Sequence, residues 1–75
     1  MEIVTPKPRI LRCHMYDDTL TKIIGTLEEG ERGIVLPGER RTTWHTFRRV
    51  LTLESAGWVE ADSIQLIGAR GEGET

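Results

Sequence analysis

The stretch that decides the fold is IGTLEEGERGIVL, residues 24–36. Its first part belongs to a β-branched run from Thr21 to Leu27, and its last part, Ile34 to Leu36, is a short continuous apolar run. Both compositions favour strands, and the charged segment between them carries two glycines, as turns do. The stretch therefore predicts two short strands joined by a turn, with a bend or bulge at Gly25.

The same succession of short apolar runs and polar turns continues toward both ends of the chain. On the N-terminal side, two prolines between Thr5 and Pro8 favour an extended segment, and Arg9 to Cys13 has the composition of a first strand. On the C-terminal side, Pro37 to Arg40 is typical of a hairpin tip. Further strands are predicted within residues 42–53, at Trp58 and Val59, and at residues 64–67, with a single helical turn at Ala61 to Ser63.

The longest strand region, residues 42–53, does not alternate cleanly. Its two faces would carry Trp44, Thr46, Arg48 and Val50 on one side, and His45, Phe47, Arg49 and Leu51 on the other. A regular strand would therefore turn an arginine toward the core whichever face is buried. The pattern predicts either a bulge in this region or its division into two strands.

Several short motifs follow one another in an order typical of a known family. They are the stretch at residues 24–36, then Trp44, then Gly57-Trp58-Val59, and finally Ile64-Gln65-Leu66-Ile67. In this order the chain resembles a bacterial SH3-type domain over nearly all of its predicted folded part. In that family an I-G-x-L step leads into a strand, a tryptophan begins the middle hairpin, and G-W-V precedes a helical turn and the closing strand. The resemblance implies a small five-stranded SH3-like β-barrel.

We therefore expect an all-β chain with an extended N-terminal arm at residues 1–8, an SH3-like barrel at residues 9–67 and a flexible tail at residues 68–75. A length of 75 residues leaves room for one core only. The residues assigned to that core are Ile24, Leu27, Val35, Val50, Trp58 and Ile64. Trp44 could either fill the barrel or lie on its surface.

Composition indicates a soluble cytoplasmic domain. The apolar fraction of 37% and the charged fraction of 29% are those of a folded globular chain rather than of a disordered one. No stretch approaches the roughly 20 apolar residues of a membrane helix, and the first residues lack the apolar core of a secretory signal. A single cysteine, Cys13, cannot form an internal disulfide. The sequence thus predicts no association with a membrane.

The chain offers little for catalysis. Cys13 and His14 would point to opposite faces of a strand, so they are not expected to act as a nucleophile and its base. His14, with the nearby aspartates or the distant His45, lacks the paired spacing of metal ligands. Gly30 and Gly33 lie among glutamates that would repel a phosphate. The sequence predicts a protein that is not an enzyme and holds no metal or cofactor.

The charge distribution points to a binding surface instead. Residues 26–39 carry four glutamates against one arginine, whereas residues 40–53 carry four arginines and no acid. Arginine and tryptophan are typical of the energetically dominant positions in protein interfaces. The predicted binding residues are Tyr16, Arg40, Arg41, Trp44, His45, Phe47, Arg48 and Arg49.

Two kinds of partner fit these residues. The first is an acidic or amphipathic segment of a partner protein, bound by the chain as a small regulatory or accessory subunit. The second is nucleic acid, with the basic strand at Arg40 to Arg49 contacting phosphates and the aromatic rings stacking on bases. The net charge of −2 favours the protein partner. An open barrel edge would also permit self-association.

Overall fold

Seven strands and one 3-10 turn make up the fold in the computed structural model, which describes residues 1–67. The elements are β1 Glu2–Pro6, β2 Arg12–Tyr16, β3 Ile23–Glu28, β4 Gly33–Arg41, β5 Thr46–Leu51, β6 Ala56–Glu60, the 3-10 turn Ala61–Ser63 and β7 Ile64–Ile67. The all-β class and the helical turn before the last strand are confirmed. Residues 1–67 form seven strands rather than the predicted five. The predicted tail, residues 68–75, lies outside the described residues.

The seven strands form one antiparallel sheet in the order β3-β2-β6-β5-β4-β1-β7. Hairpins join β2 to β3, β4 to β5 and β5 to β6, whereas β1 reaches its partners β4 and β7 only through long-range pairing. The sheet curls into a half-barrel, with β3 and β7 as its two edges. The curl gives the sheet a concave inner face and a convex outer face.

The first strand lies where the sequence predicted an extended arm. β1 is extended, but it is paired on both sides, so that Val4 lies opposite Gly33 of β4 and Leu66 of β7. The Val4 side chain is buried in the core. A tight turn follows, in which the Ile10 N–H donates to the Lys7 carbonyl, and it delays the next strand to Arg12 instead of the predicted Arg9.

The core lies on the inner face of the half-barrel. Side chains alternate between the faces of a strand, and directly opposite residues share a face. The buried cluster consists of Val4, Cys13, Met15, Leu27, Val50, Val59 and Ile64, with Val35 partly buried against it. The core assignments of Leu27, Val50 and Ile64 are therefore confirmed. Trp58 is buried as predicted but does not belong to this cluster.

The core assignment of Ile24 is wrong, because its side chain is 47% exposed. The pairing of β2 with β3 shifts between Met15 and Tyr16, so that Met15 lies opposite Gly25 and Tyr16 opposite Ile23. Ile24 is the additional residue of this bulge and has no opposite partner. The irregularity predicted at Gly25 is thus present, and it removes the neighbouring isoleucine from the core.

The hairpin between β4 and β5 turns later than the sequence predicted. Pro37 and Gly38 do not form its tip but lie in a bulge within β4, where the register shifts between Leu36 and Glu39. Gly38 has a φ of +117°, which L side chains rarely adopt. The tip is at Thr42 to His45, where the Thr42 N–H donates to the His45 carbonyl. The bulge therefore belongs to β4, and β5 itself is regular.

Candidate functional site

The outer face of the half-barrel carries a second, smaller group of packed side chains. Strand pairing places Arg40 opposite Phe47, and Phe47 opposite Glu60. It also places Trp58 opposite Arg49 on one side and opposite Tyr16 on the other. Since opposite residues share a face, β2, β4, β5 and β6 bring these side chains together. We call Tyr16, Phe47 and Trp58 the outer aromatic cluster.

Trp58 lies at the centre of this face and is only 7% exposed. Its indole Nε1 donates a hydrogen bond of 3.0 Å to the Asp18 carboxylate. The guanidinium carbons of Arg40 and Arg49 lie 5.7 and 5.9 Å from the ring centroid. Arg40 also donates to the backbone carbonyl of Asp18. Two of the predicted binding arginines therefore contact the same ring.

Phe47 is buried rather than exposed, which corrects its assignment to the binding surface. It is 6% exposed, and its ring forms T-shaped contacts with two of the other predicted residues. The ring centroid of Tyr16 lies 5.9 Å away at an interplanar angle of 87°, and that of His45 lies 6.1 Å away at 72°. Phe47 thus supports the predicted surface from below and does not itself form it.

The hairpin tip between β4 and β5 presents an exposed indole. Trp44 is 84% exposed, which places it on the surface and not in the barrel. The Thr42 hydroxyl accepts the backbone N–H groups of Trp44 and His45 at 3.4 and 3.1 Å, and this shapes the turn. Arg41, next to the tip, forms an ion pair of 2.8 Å with Glu39. The tip therefore adds a large apolar contact beside charged side chains.

Arg48 does not join Arg40 and Arg49. Its neighbour Arg49 lies on the outer face opposite Trp58, so strand alternation turns Arg48 to the inner face, opposite Val59. Its guanidinium lies 3.6 Å from the Glu2 carboxylate. The sequence predicts one surface that includes Arg41, Arg48 and Arg49, whereas the structure places Arg48 and Arg49 on opposite faces of the sheet. Arg41 lies opposite Thr46 and therefore shares the face of Arg48.

Asp18, which the sequence analysis did not select, is held in place by the loop between β2 and β3. The carboxylate of the preceding Asp17 accepts hydrogen bonds from the Thr19 hydroxyl at 2.8 Å and from the backbone N–H groups of Thr21 and Lys22. This fold-back is a turn that aspartate commonly makes with its own chain. The Asp-Asp-Thr sequence is the signal that could have indicated it.

The Asp17 turn makes the conformation of this loop dependent on pH. The Thr19 hydroxyl, followed by the backbone N–H groups of Thr21 and Lys22, holds the pKa of Asp17 below its usual value. The pKa of Asp17 is lower in the folded state than in the unfolded state. The stability that the Asp17 carboxylate contributes is therefore complete above the unfolded-state pKa and is lost as the pH falls through the folded-state pKa. We expect the amide signals of Thr21 and Lys22 to shift over that acidic range in an NMR titration.

The Asp17→Asn variant should remove this shift of the loop amides. The matched control, Asp62→Asn on the 3-10 turn, should retain it. The pKa of Glu28 is also lowered, by its hydrogen bond with Arg12, and neither variant should change the pH at which Glu28 titrates. Loop amides that still titrate in the Asp17 variant would show that another group shapes the loop.

Cys13 and His14 lie on opposite faces of β2, as strand alternation predicts. The Cys13 thiol is buried and donates to the Ser63 carbonyl at 3.4 Å, whereas His14 is exposed. Burial, together with the nearby Glu60 carboxylate, raises the pKa of the Cys13 thiol. The thiol is thus protonated and packed in the core, and the imidazole cannot reach it.

Within residues 1–67, no group of three or more His, Cys, Asp or Glu side chains could hold a metal ion. In the same part of the chain, no helix is long and apolar enough to cross a membrane. Comparisons with protein-family models, curated proteins and solved structures gave no match for this chain. The geometry itself defines the class: an all-β protein built on a curled antiparallel sheet, with arginines stacked on a tryptophan of its outer face.

Proposed function

We propose that the protein is a non-enzymatic docking module, a small regulatory or accessory subunit that binds an acidic or amphipathic segment of a partner protein. Its contact surface, here called the outer Arg/aromatic surface, consists of Tyr16, Arg40, Trp44, His45 and Arg49. The observation that carries the proposal is the pair of guanidinium groups over the Trp58 ring. A small SH3-like barrel is the fold type that we assign to this module.

The arrangement of the two arginines favours binding of carboxylates. A guanidinium over an aromatic face gains about 0.5–1 kcal/mol at an exposed site and loses conformational freedom before a ligand arrives. Its remaining N–H groups can form a bidentate pair with a carboxylate. Because Arg40 and Arg49 share one ring, they can contact neighbouring acids of the same segment. Preorganisation of this kind lowers the entropy cost of binding.

Trp44 supplies the apolar part of the surface. A large side chain that is 84% exposed stabilises no core, and tryptophan is among the residues that most often dominate binding energy. The segment best suited to this surface therefore combines acids for the arginines with an apolar residue for Trp44. This is the composition of an acidic amphipathic segment.

The acids on the same face weigh against a nucleic-acid partner. Asp18 lies beside Arg40, and the Glu60 carboxylate lies 3.6 Å from the His45 imidazole. These acids would repel a phosphate backbone, which binds largely through uncompensated positive charge. A peptide can instead direct its own N–H groups toward them. Nucleic acid is therefore the second arm of the experiment and not the proposal.

The test is a pair of charge reversals of equal size. In Arg40→Glu with Arg49→Glu, the contact surface changes sign at two exposed positions, whereas Lys7→Glu with Arg32→Glu changes two exposed positions elsewhere. The probes are a labelled short peptide alternating acidic and apolar residues, its copy with amides in place of the acids, and a labelled single-stranded oligonucleotide. Binding is measured by fluorescence anisotropy at low and moderate salt.

We expect the acidic peptide to bind the native protein, and the Arg40/Arg49 reversal to weaken this binding by at least about tenfold, since close charge pairs are worth several kcal/mol at interfaces. The Lys7/Arg32 reversal should leave the affinity unchanged. Equal loss in both reversals would show a response to net charge alone and refute the surface. Tighter binding of the oligonucleotide, with a steep salt dependence, would replace the proposal with the nucleic-acid function.

A further inference from the structure

A pocket of about 150 Å³ opens on the inner side of the half-barrel, away from the outer Arg/aromatic surface. β1, β4, β5, the 3-10 turn and β7 all contribute to its lining. Its walls are mainly aliphatic, with Val4, Val35 and Ile64 among them, and Arg48 and Glu2 are its charged residues. The pocket thus combines an apolar wall with one cation and one acid.

One N–H group of Arg48 lacks a hydrogen-bond acceptor in this pocket. Its Nε atom is buried and has no hydrogen-bond partner among the residues that the structure describes. The nearest carboxylate, that of Glu2, lies 3.6 Å from the terminal nitrogen Nη2, beyond the length of a good charge-assisted hydrogen bond. Native proteins rarely leave a buried donor without an acceptor. The unpaired donor therefore points to a missing acceptor.

The strand pattern explains why an arginine occupies this inward position. Arg48 lies on the inner face, with Val50 along its own strand, Val59 opposite it on β6, and Glu39 opposite it on β4. The Glu39 carboxylate is already paired with Arg41. The Arg48 side chain is 35% exposed, but its Nε atom is buried, and a buried donor without an acceptor is costly. Core packing alone would not favour a cation at position 48. Ligand binding therefore explains the presence of Arg48 better than protein stability does.

We propose that this pocket binds a small ligand that joins a carboxylate to a short aliphatic body. The carboxylate accepts hydrogen bonds from Nε and Nη2 of Arg48, and the body packs against Val4, Val35 and Ile64. Glu2, which is half exposed, swings into solvent when the ligand arrives and so acts as a resident competitor. A cavity of this size is close to that known to hold one small apolar ring, which limits the aliphatic body to a few carbons.

This site is separate from the proposed docking function, because it lies on the opposite face of the sheet. Two sources could supply its chemistry: a free short-chain carboxylic acid, or the C-terminal residue of a peptide. The probes distinguish them. Hexanoate represents the first, N-acetylleucine represents the second, and hexanamide is the neutral analogue that matches hexanoate in shape.

The experiment follows the methyl signals of Val4, Val35 and Ile64 by NMR as each probe is added to the full chain. We expect saturable shifts with hexanoate or N-acetylleucine, whichever is the matching source, and none with hexanamide. Glu2→Gln should tighten binding several-fold because it removes the competing charge. Arg48→Gln should abolish binding, and Arg49→Gln, the same change on the outer face, should leave it unchanged.

Several results would overturn the site. It fails if hexanamide binds as well as hexanoate, if neither carboxylate shifts the pocket methyls, or if Arg49→Gln weakens binding as much as Arg48→Gln. Because Arg48→Gln could disturb folding, the Trp58 indole signal is recorded as a check on the fold. The Glu2→Gln variant tests separately whether Glu2 competes with the ligand for Arg48. Unchanged or weaker binding of hexanoate to this variant refutes the proposed competition. None of these readouts depends on the outer Arg/aromatic surface.

Discussion

Replacing Trp58 with alanine is expected to unfold most of the protein at room temperature. The ring is almost fully buried on the outer face, and its loss would also remove the hydrogen bond to Asp18 and the support beneath Arg40 and Arg49. Truncation of a buried tryptophan costs about 3–5 kcal/mol. A core of this size supplies rarely more than about 3–5 kcal/mol of net stability, so the two quantities are comparable.

Trp44 provides the matched control for this experiment. Trp44→Ala removes the same side chain from a position that is 84% exposed, and we expect the free energy of unfolding to change by no more than about 0.5 kcal/mol. Urea denaturation followed by far-ultraviolet circular dichroism measures both variants. A Trp44 variant as unstable as the Trp58 variant would contradict the assignment of the two indoles to surface and interior.

Replacing Gly33 with alanine is expected to destabilise the protein by about 3 kcal/mol, at the upper end of the usual cost of overpacking. A Cβ atom at this position would lie 2.4 Å from Cγ1 of Val50 and 3.3 Å from the Leu51 carbonyl oxygen. Val50 is fully buried and β-branched, so its side chain has little freedom to move aside. The sheet must therefore shift where β4 pairs with β5.

A double variant makes the cause of that loss measurable. Val50→Ala alone should cost about 2 kcal/mol because it leaves an unfilled space in the core. Combined with Gly33→Ala, it removes the clashing methyl, and the inserted methyl occupies part of that space. The double variant should be more stable than the sum of the two single changes predicts, by at least about 1 kcal/mol. Strictly additive losses in urea denaturation would exclude this contact as the source of the strain.

Local composition was sufficient to predict the class and much of the core. β-branched runs and glycine turns predicted the strands that became β3 and the first part of β4, and the Ala61–Ser63 helical turn was found where expected. Leu27, Val50 and Ile64 were assigned to the core correctly because each lies in an apolar run. These features depend on neighbours in sequence, which a sequence displays directly.

Long-range pairing accounts for what the sequence did not indicate. β1 resembles an arm because its two partners lie far along the chain, and nothing in Glu2–Pro6 reveals them. Met15 and Val59 were not selected for the core, although both are fully buried, because each stands among polar or short segments. The division of Arg48 from Arg49 needed the register of β5, which was uncertain until the bulge was located in β4.

The sequence predicts most of the residues of the candidate site but not how they are arranged. The basic segment and its aromatic neighbours were identified, but the ring that carries Arg40 and Arg49 is Trp58, which had been assigned to filling the barrel. Antiparallel sheets commonly pack one face on the core and leave the other solvated, so the sequence pattern alone favours a single core. Phe47 was placed on the surface for the same reason.

The pairing of β1 with β7 also determines how the molecule responds to tension. Ile3 lies opposite Ile67, so the start of the first strand and the end of the last strand are neighbours at one corner of the sheet. A pull on the chain at residues 2 and 67 would act across this antiparallel pair and open its hydrogen bonds one after another, like a zipper. Strands loaded in that direction separate at low force, and loss of the edge strand β7 would uncover Val4, which stays paired with β4. Carried within a longer polypeptide, the domain would be a weak mechanical link.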